Sequence, residues 1–138
     1  MKVYINLPVD DLARTRAFFT ALGFSFNETF SNETALGMEI NEHCSAMLLT
    51  KAKFAPFTPR PIADAGKTTE VLTALQLESR EAVDAMVAAA LANGGTEMRA
   101  REDHGFMYEH AFADPDGHIW EPFWMDVDAF EKTKEDAA

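Results

Sequence analysis

A chain of 138 residues with 47% apolar and 25% charged side chains is long enough to bury one sizeable core, and its 11 Phe, 2 Trp and 2 Tyr argue against disorder. A formal net charge of −11 repels phosphate backbones and excludes nucleic acid as a partner, and no run approaches the roughly 18 apolar residues of a membrane-spanning helix. The single cysteine, Cys44, forms no intrachain disulfide, and residues 1–6 carry no signal-peptide pattern, so a reducing cytoplasm is the expected location.

Residues 2–9 alternate Val3, Ile5, Leu7 and Val9 against Tyr4, Asn6 and Pro8, the period of a strand with one core face. Asp10-Asp11 supplies a helix cap and an acidic first turn. Leu12, Ala13, Arg16-Ala17, Phe18-Phe19 and Leu22 then follow at helical spacing up to Gly23. Residues 24–30, 34–40 and 44–50 read as three more strands, separated by Ser31-Asn32-Glu33 and Asn41-Glu42-His43. Residues 51–69 hold Pro56, Pro59, Pro61 and Gly66 without periodicity, which predicts a long surface linker.

The second half repeats this order. Residues 70–77 alternate as a strand, and Glu78-Ser79 opens a helix carrying Val83, Met86, Val87, Ala90 and Leu91 before Asn93-Gly94-Gly95. Val9 corresponds to Leu77, an offset of 77 − 9 = 68. Strands at 96–101, 106–113 and 118–125 follow, the last two joined by Asp114-Pro115-Asp116-Gly117, a turn signature. The organisation is a single α+β domain over 1–138, with tandem βαβββ modules at 1–50 and 70–125, the 51–69 linker between them and a charged tail at 126–138. That tail reads as a short helix with a frayed end.

The opening INLPVDDLARTRAFFTALGF, the helix end LANGG and the closing FADPDGHIWE together resemble the vicinal oxygen chelate superfamily, which contains glyoxalases, bleomycin-resistance proteins and extradiol dioxygenases. The resemblance covers nearly the whole chain. It implies curved sheets around a cavity, with a divalent metal held by one side chain from the first and last strand of each module, and homodimers are common in the family. Those ligand positions fall at Tyr4, Leu48, Leu72 and Glu121. Such metals need three or four N or O donors, which leucine cannot supply, so no metal is expected there. A displaced set using Glu70 and Glu121 stays open, since Glu70 lies about 6.5 Å from Leu72 on the same strand face at ~3.3 Å per residue.

Strand parity gives a cavity face of Tyr4, Asn6, Glu70, Leu72 and Gln76, joined by analogy by Leu48, Thr50, Glu121 and Phe123. Glu121 is the candidate proton-transfer group, its repulsion from a second carboxylate raising at least one pKa. Tyr4, Asn6, Glu70, Tyr108 and His110 are candidate substrate-binding residues. Parity puts Phe106, Tyr108, His110 and Phe112 on one face without saying whether that face lines the cavity. His43 and His118 read as structural or exposed. Cys44, without a basic neighbour, reads as a small strand residue, and the Trp120, Phe123, Trp124 and Met125 cluster as core or dimer surface.

Two functions follow from the resemblance. One is a small-molecule-binding or sequestering protein without metal, like the bleomycin-resistance branch. The other is a glyoxalase-like lyase or isomerase, or a dioxygenase, with a rearranged ligand set. The negative charge disfavours a glutathione adduct unless Arg99 and Arg101 form a local basic patch.

Overall fold

A computed structural model describes residues 1–137. The fold is α+β with two four-stranded mixed sheets, and residues 1–68 and 69 onward form two compact units.

In the first unit, β1 (Val3–Val9) leads to α1 (Leu12–Ala21), then β2 (Ser25–Asn27), β3 (Ala35–Asn41) and β4 (Cys44–Thr50), in sheet order β1-β4-β3-β2. Asp11 caps α1 by accepting the Arg14 N–H at 3.1 Å, whereas Asp10 pairs with Lys51 at 2.7 Å and does not enter the first turn. Phe18 and Phe19, both 1% exposed, seat the helix on the sheet in edge-to-face contact with ring centres 5.0 Å apart. β2 is shorter than its apolar stretch suggests, because Asn27 caps a 3-10 turn over Glu28–Phe30. The linker is also not bare loop. It opens with α2 (Lys51–Phe54), capped by Thr50, and a further 3-10 turn at Ala55–Phe57.

One expectation is overturned in β4. Strands β1 and β4 run parallel with Tyr4 opposite Ser45, Asn6 opposite Met47 and Leu7 opposite Leu48. Met47, not Leu48, therefore shares the Tyr4/Asn6 face, and Leu48 is fully buried on the helix side, with Thr50 alongside Val9. A one-residue slip in register exchanges the two faces of a strand, and no sequence pattern fixes the register of strands far apart in the chain.

In the second unit, β5 (Leu72–Gln76) and α3 (Arg80–Ala92) precede β6 (Thr96–Asp103), β7 (Met107–Ala113), β8 (Ile119–Met125) and α4 (Val127–Ala137), in order β5-β8-β7-β6. Ser79 caps α3, and Val83, Val87 and Ala90 are buried beneath it. The Asp114–Gly117 turn is held by Asp114, which is 3% exposed and accepts the backbone N–H groups of Asp116 and His118 and the indole N–H of Trp120. Every residue of the edge strand β6 is exposed, and two breaks in its register with β7 interrupt the ladder. β5 begins at Leu72, so Glu70 sits outside the strand as an exposed residue and shares no strand face with Leu72. The tail is helical through residue 137, and the expected frayed end at residue 138 lies outside the described residues.

No helix among the described residues is long and apolar enough to cross a membrane.

Candidate functional site

The second sheet has one face covered by α3 and one free of it. Register assigns the side chains. Ala74 lies opposite Glu121, Gln76 and Glu109 opposite Phe123, and Glu102 opposite Glu109, all on the helix-free face. Tyr108 opposite Trp124 and Phe112 opposite Trp120 belong to the helix side.

On the helix-free face, Arg99 reaches two carboxylates. Its Nη2 lies 3.0 Å from Oε2 of Glu121 and 3.3 Å from Oε1 of Glu109. Glu109 and Glu121 are 18% and 19% exposed and Arg99 is 43% exposed, so two largely covered anions share one guanidinium open to solvent. A charge-assisted pair of this kind orients both carboxylates and offsets their repulsion. The sequence foresaw a carboxylate partner for Glu121 but named Glu70. The partner is Glu109, and its signal was the alternation of residues 107–113, which gives Glu109 the opposite parity to Tyr108 and His110.

The face left open for Tyr108 and His110 is the helix side. Tyr108 donates its hydroxyl to Oδ1 of Asp84 on α3 at 2.5 Å, and that carboxylate, together with burial, raises the phenol's pKa. His110 is 9% exposed, with Nε2 3.0 Å from Oε2 of Glu97. These two do not meet Glu121. His110 borders a groove of about 450 Å³ between α3 and β6, lined also by Asp84, Val87, Leu91 and Arg101, and Tyr108 touches that groove's wall through its bond to Asp84. Arg101 faces that groove, 3.9 Å from Asp84, so Arg99 and Arg101 point to opposite faces and form no common basic patch.

In the first unit, Tyr4 is 47% exposed with the Lys2 ammonium 5.2 Å from its ring centre, and Asn6 is exposed beside the half-buried Met47. The residues at the four positions implied by the resemblance, with Met47 corrected for Leu48, are thus a phenol, a thioether, an aliphatic chain at Leu72 and the Glu121 carboxylate. Only the last is a strong ligand for a borderline divalent ion, and it is already paired with Arg99.

At the end of β6, Glu102 and His104 approach Glu109. His104 Nε2 lies 3.2 Å from Glu102 Oε2 and 3.9 Å from Glu109 Oε1. Neither Glu102 nor Glu109 was singled out from the sequence, because their meeting depends on the β6–β7 register.

A model of the Glyoxalase/Bleomycin resistance protein/Dioxygenase superfamily matches residues 3–121. A search of curated proteins finds no significant match. Among solved structures, a hypothetical protein from S. aureus is 24% identical with a TM-score of 0.77, the match covering 90% of this chain and 93% of that one. A glyoxalase/bleomycin resistance protein/dioxygenase family enzyme from Burkholderia phytofirmans PsJN is 19% identical, with a TM-score of 0.73 and coverage of 89% and 97%. A bleomycin resistance determinant encoded on the transposon Tn5 is 19% identical, with a TM-score of 0.61 and coverage of 91% and 98%. At these identities the structural likeness concerns the fold alone. With the family match spanning both βαβββ units, the chain belongs to the Glyoxalase/Bleomycin resistance protein/Dioxygenase superfamily.

Proposed function

We propose that this protein binds a small organic molecule on the helix-free face of its second sheet, recognising it through the Glu121–Arg99–Glu109 row, without a metal at the family's usual position. The internal duplication supports the reading because each module serves as a control for the other. Met47 corresponds to Glu121 (121 − 47 = 74), Ala35 to Glu109 (109 − 35 = 74), and Asn27 to Arg99 through their strand partners Gly37 and Ala111. Chemistry-bearing side chains thus stand in the second module where the first has a thioether, a methyl and an amide.

Apolar side chains surround the row. Ile119, Phe123, Met107 and Met125 are half-buried and Leu72 is exposed, and an apolar wall with a few placed polar groups is the usual composition of a small-molecule site. The observation that carries the proposal is the Arg99 bridge itself. It presents a hydrogen-bonding cation whose orientation two covered carboxylates fix, and it occupies the one strong family donor, Glu121.

The test is a thermal-shift titration of wild type and Glu121→Gln with small organic acids and amines, including bleomycin because of the Tn5 relative. A molecule that binds only the folded chain raises its Tm. A shift in wild type that Glu121→Gln reduces supports the proposal; a shift equal in both, or none with any compound, overturns it.

The second reading, a glyoxalase-like lyase or a dioxygenase with a rearranged ligand set, is favoured by the convergence of Glu102, His104 and Glu109 near the same face. Turnover of the methylglyoxal–glutathione hemithioacetal, lost in Glu121→Gln and kept in Cys44→Ser, would establish it over simple binding.

A further inference from the structure

We infer that Glu102, His104 and Glu109 form a divalent-cation site at the end of β6, displaced from the position the family uses. One oxygen or nitrogen from each residue lies within 4.8 Å of the others. An ion equidistant from the His104 nitrogen and from carboxylate oxygens 3.2 and 3.9 Å from it, themselves no more than 4.8 Å apart, lies roughly 2.0–2.4 Å from each, near the roughly 2.0–2.2 Å bonds that zinc makes with imidazole and carboxylate. One imidazole nitrogen with two carboxylate oxygens suits zinc, manganese, iron or nickel. Glu102 and His104 are 46% and 42% exposed, so the remaining coordination positions open to water or a ligand.

Two features independent of that spacing point the same way. First, Glu102 and Glu109 are direct cross-strand partners. Like charges placed opposite each other on neighbouring strands are destabilising, and the His104 imidazole, 3.2 Å from Glu102 and 3.9 Å from Glu109, offsets this only when it is protonated. The guanidinium at hand, Arg99, is shared with Glu121 and makes its shorter contact there, 3.0 Å against 3.3 Å. An ion on Glu109 therefore leaves Arg99 its better partner. Second, the turn carrying His104 is fixed from the helix side. Arg80 donates to the Gly105 carbonyl at 2.9 Å and to Asp103 at 3.3 Å, Asp103 accepts the Gly105 N–H, and the His104 N–H bonds the Met107 carbonyl at 2.7 Å. The backbone that carries His104 is held before an ion arrives, which lowers the ordering cost of binding.

The inference goes beyond the small-molecule reading and does not depend on it, since its probe is the metal alone. Full-length, untagged protein stripped with a chelator is titrated calorimetrically with zinc, manganese and nickel. The expected result is binding of one equivalent. His104→Ala and Glu102→Gln weaken it at least about tenfold, the scale seen when even an outer-shell partner is lost. Glu121→Gln weakens it far less than the ligand variants do, since it only turns Arg99 more fully onto Glu109, and Arg99→Ala, which removes the competing cation, tightens it.

Far-ultraviolet circular dichroism confirms that each variant is folded, and Glu109→Gln serves as a second ligand variant should His104→Ala fail to fold. Binding lost in Glu121→Gln but kept in His104→Ala overturns the inference in favour of the family position. Binding indifferent to all these variants, or weakened by Arg99→Ala, also overturns it, as does no binding of any of the three ions up to millimolar concentration.

Discussion

Trp120 donates its indole N–H to Oδ2 of Asp114 at 3.0 Å, joining the turn before β8 to the centre of the second unit's core. Burial pushes the Asp114 carboxyl pKa above its usual range, partly opposed by His118 and by the Trp120 bond. Asp114→Asn turns an amide NH₂ toward one of these donors, and we expect a loss of about 1–3 kcal/mol, the cost of unmaking a buried hydrogen bond.

The pH dependence has a definite sign. A carboxyl whose folded pKa is raised contributes stability that is fully present below its unfolded pKa and is lost as pH rises through the folded value. The advantage of wild type over Asp114→Asn should therefore shrink as pH rises from about 4 toward neutrality. Urea denaturation of both proteins across that range checks it, and an advantage growing with pH contradicts it.

Removing the Arg99 guanidinium leaves Glu109 and Glu121 without the cation they share. We expect Arg99→Ala to be less stable than wild type at neutral pH, and the difference to narrow in high salt, which screens the repulsion between the two carboxylates. Urea midpoints measured at low and high ionic strength report this directly.

His110 occupies the position at which the first module carries the buried Leu36 (110 − 36 = 74). His110→Leu copies that solution, and its partner Glu97 is exposed enough to return to water. We expect stability within about 1 kcal/mol of wild type, since replacing a paired polar group by an apolar one of similar shape is often nearly neutral. Small-molecule binding should be unchanged, because His110 lies on the face opposite Glu121; a loss would move the binding site to the α3–β6 groove.

Gly23 and Gly94 follow the ends of α1 and α3 with φ of 97° and 100°. A Cβ at Gly23 would meet nothing within 4 Å, and one at Gly94 would meet only Pro115 Cγ at 3.9 Å. Alanine at either position thus costs backbone strain alone, about 1–2 kcal/mol, measurable as a lowered Tm.

The duplicated strand-helix-strand order was legible because local signals carry it: alternation in β1, the caps at Asp11 and Ser79, the glycines that end both helices, and the turn at residues 114–117. What the sequence concealed was register. Sequence alone puts Leu48 one residue out of phase in β4, and Glu109 stands between the more conspicuous Tyr108 and His110. Glu70 reads as part of a strand because its surroundings alternate, although pairing with β8 begins at Leu72. Glu121 stands out through the motif it closes. Its partner Arg99 shows only its charge, since a contact between β6 and β8 spans the intervening strand and leaves no trace in local sequence.

Five of the eight residues of β6 are charged, Glu97, Arg99, Arg101, Glu102 and Asp103, along a border of the sheet that is open over its whole length. A second molecule trying to extend the ladder would have to strip water from those charges and match an interrupted backbone. The same strand that supplies Arg99 and Glu102 thereby guards the protein against fibril-like stacking, so neutralising these side chains should cost solubility as well as recognition.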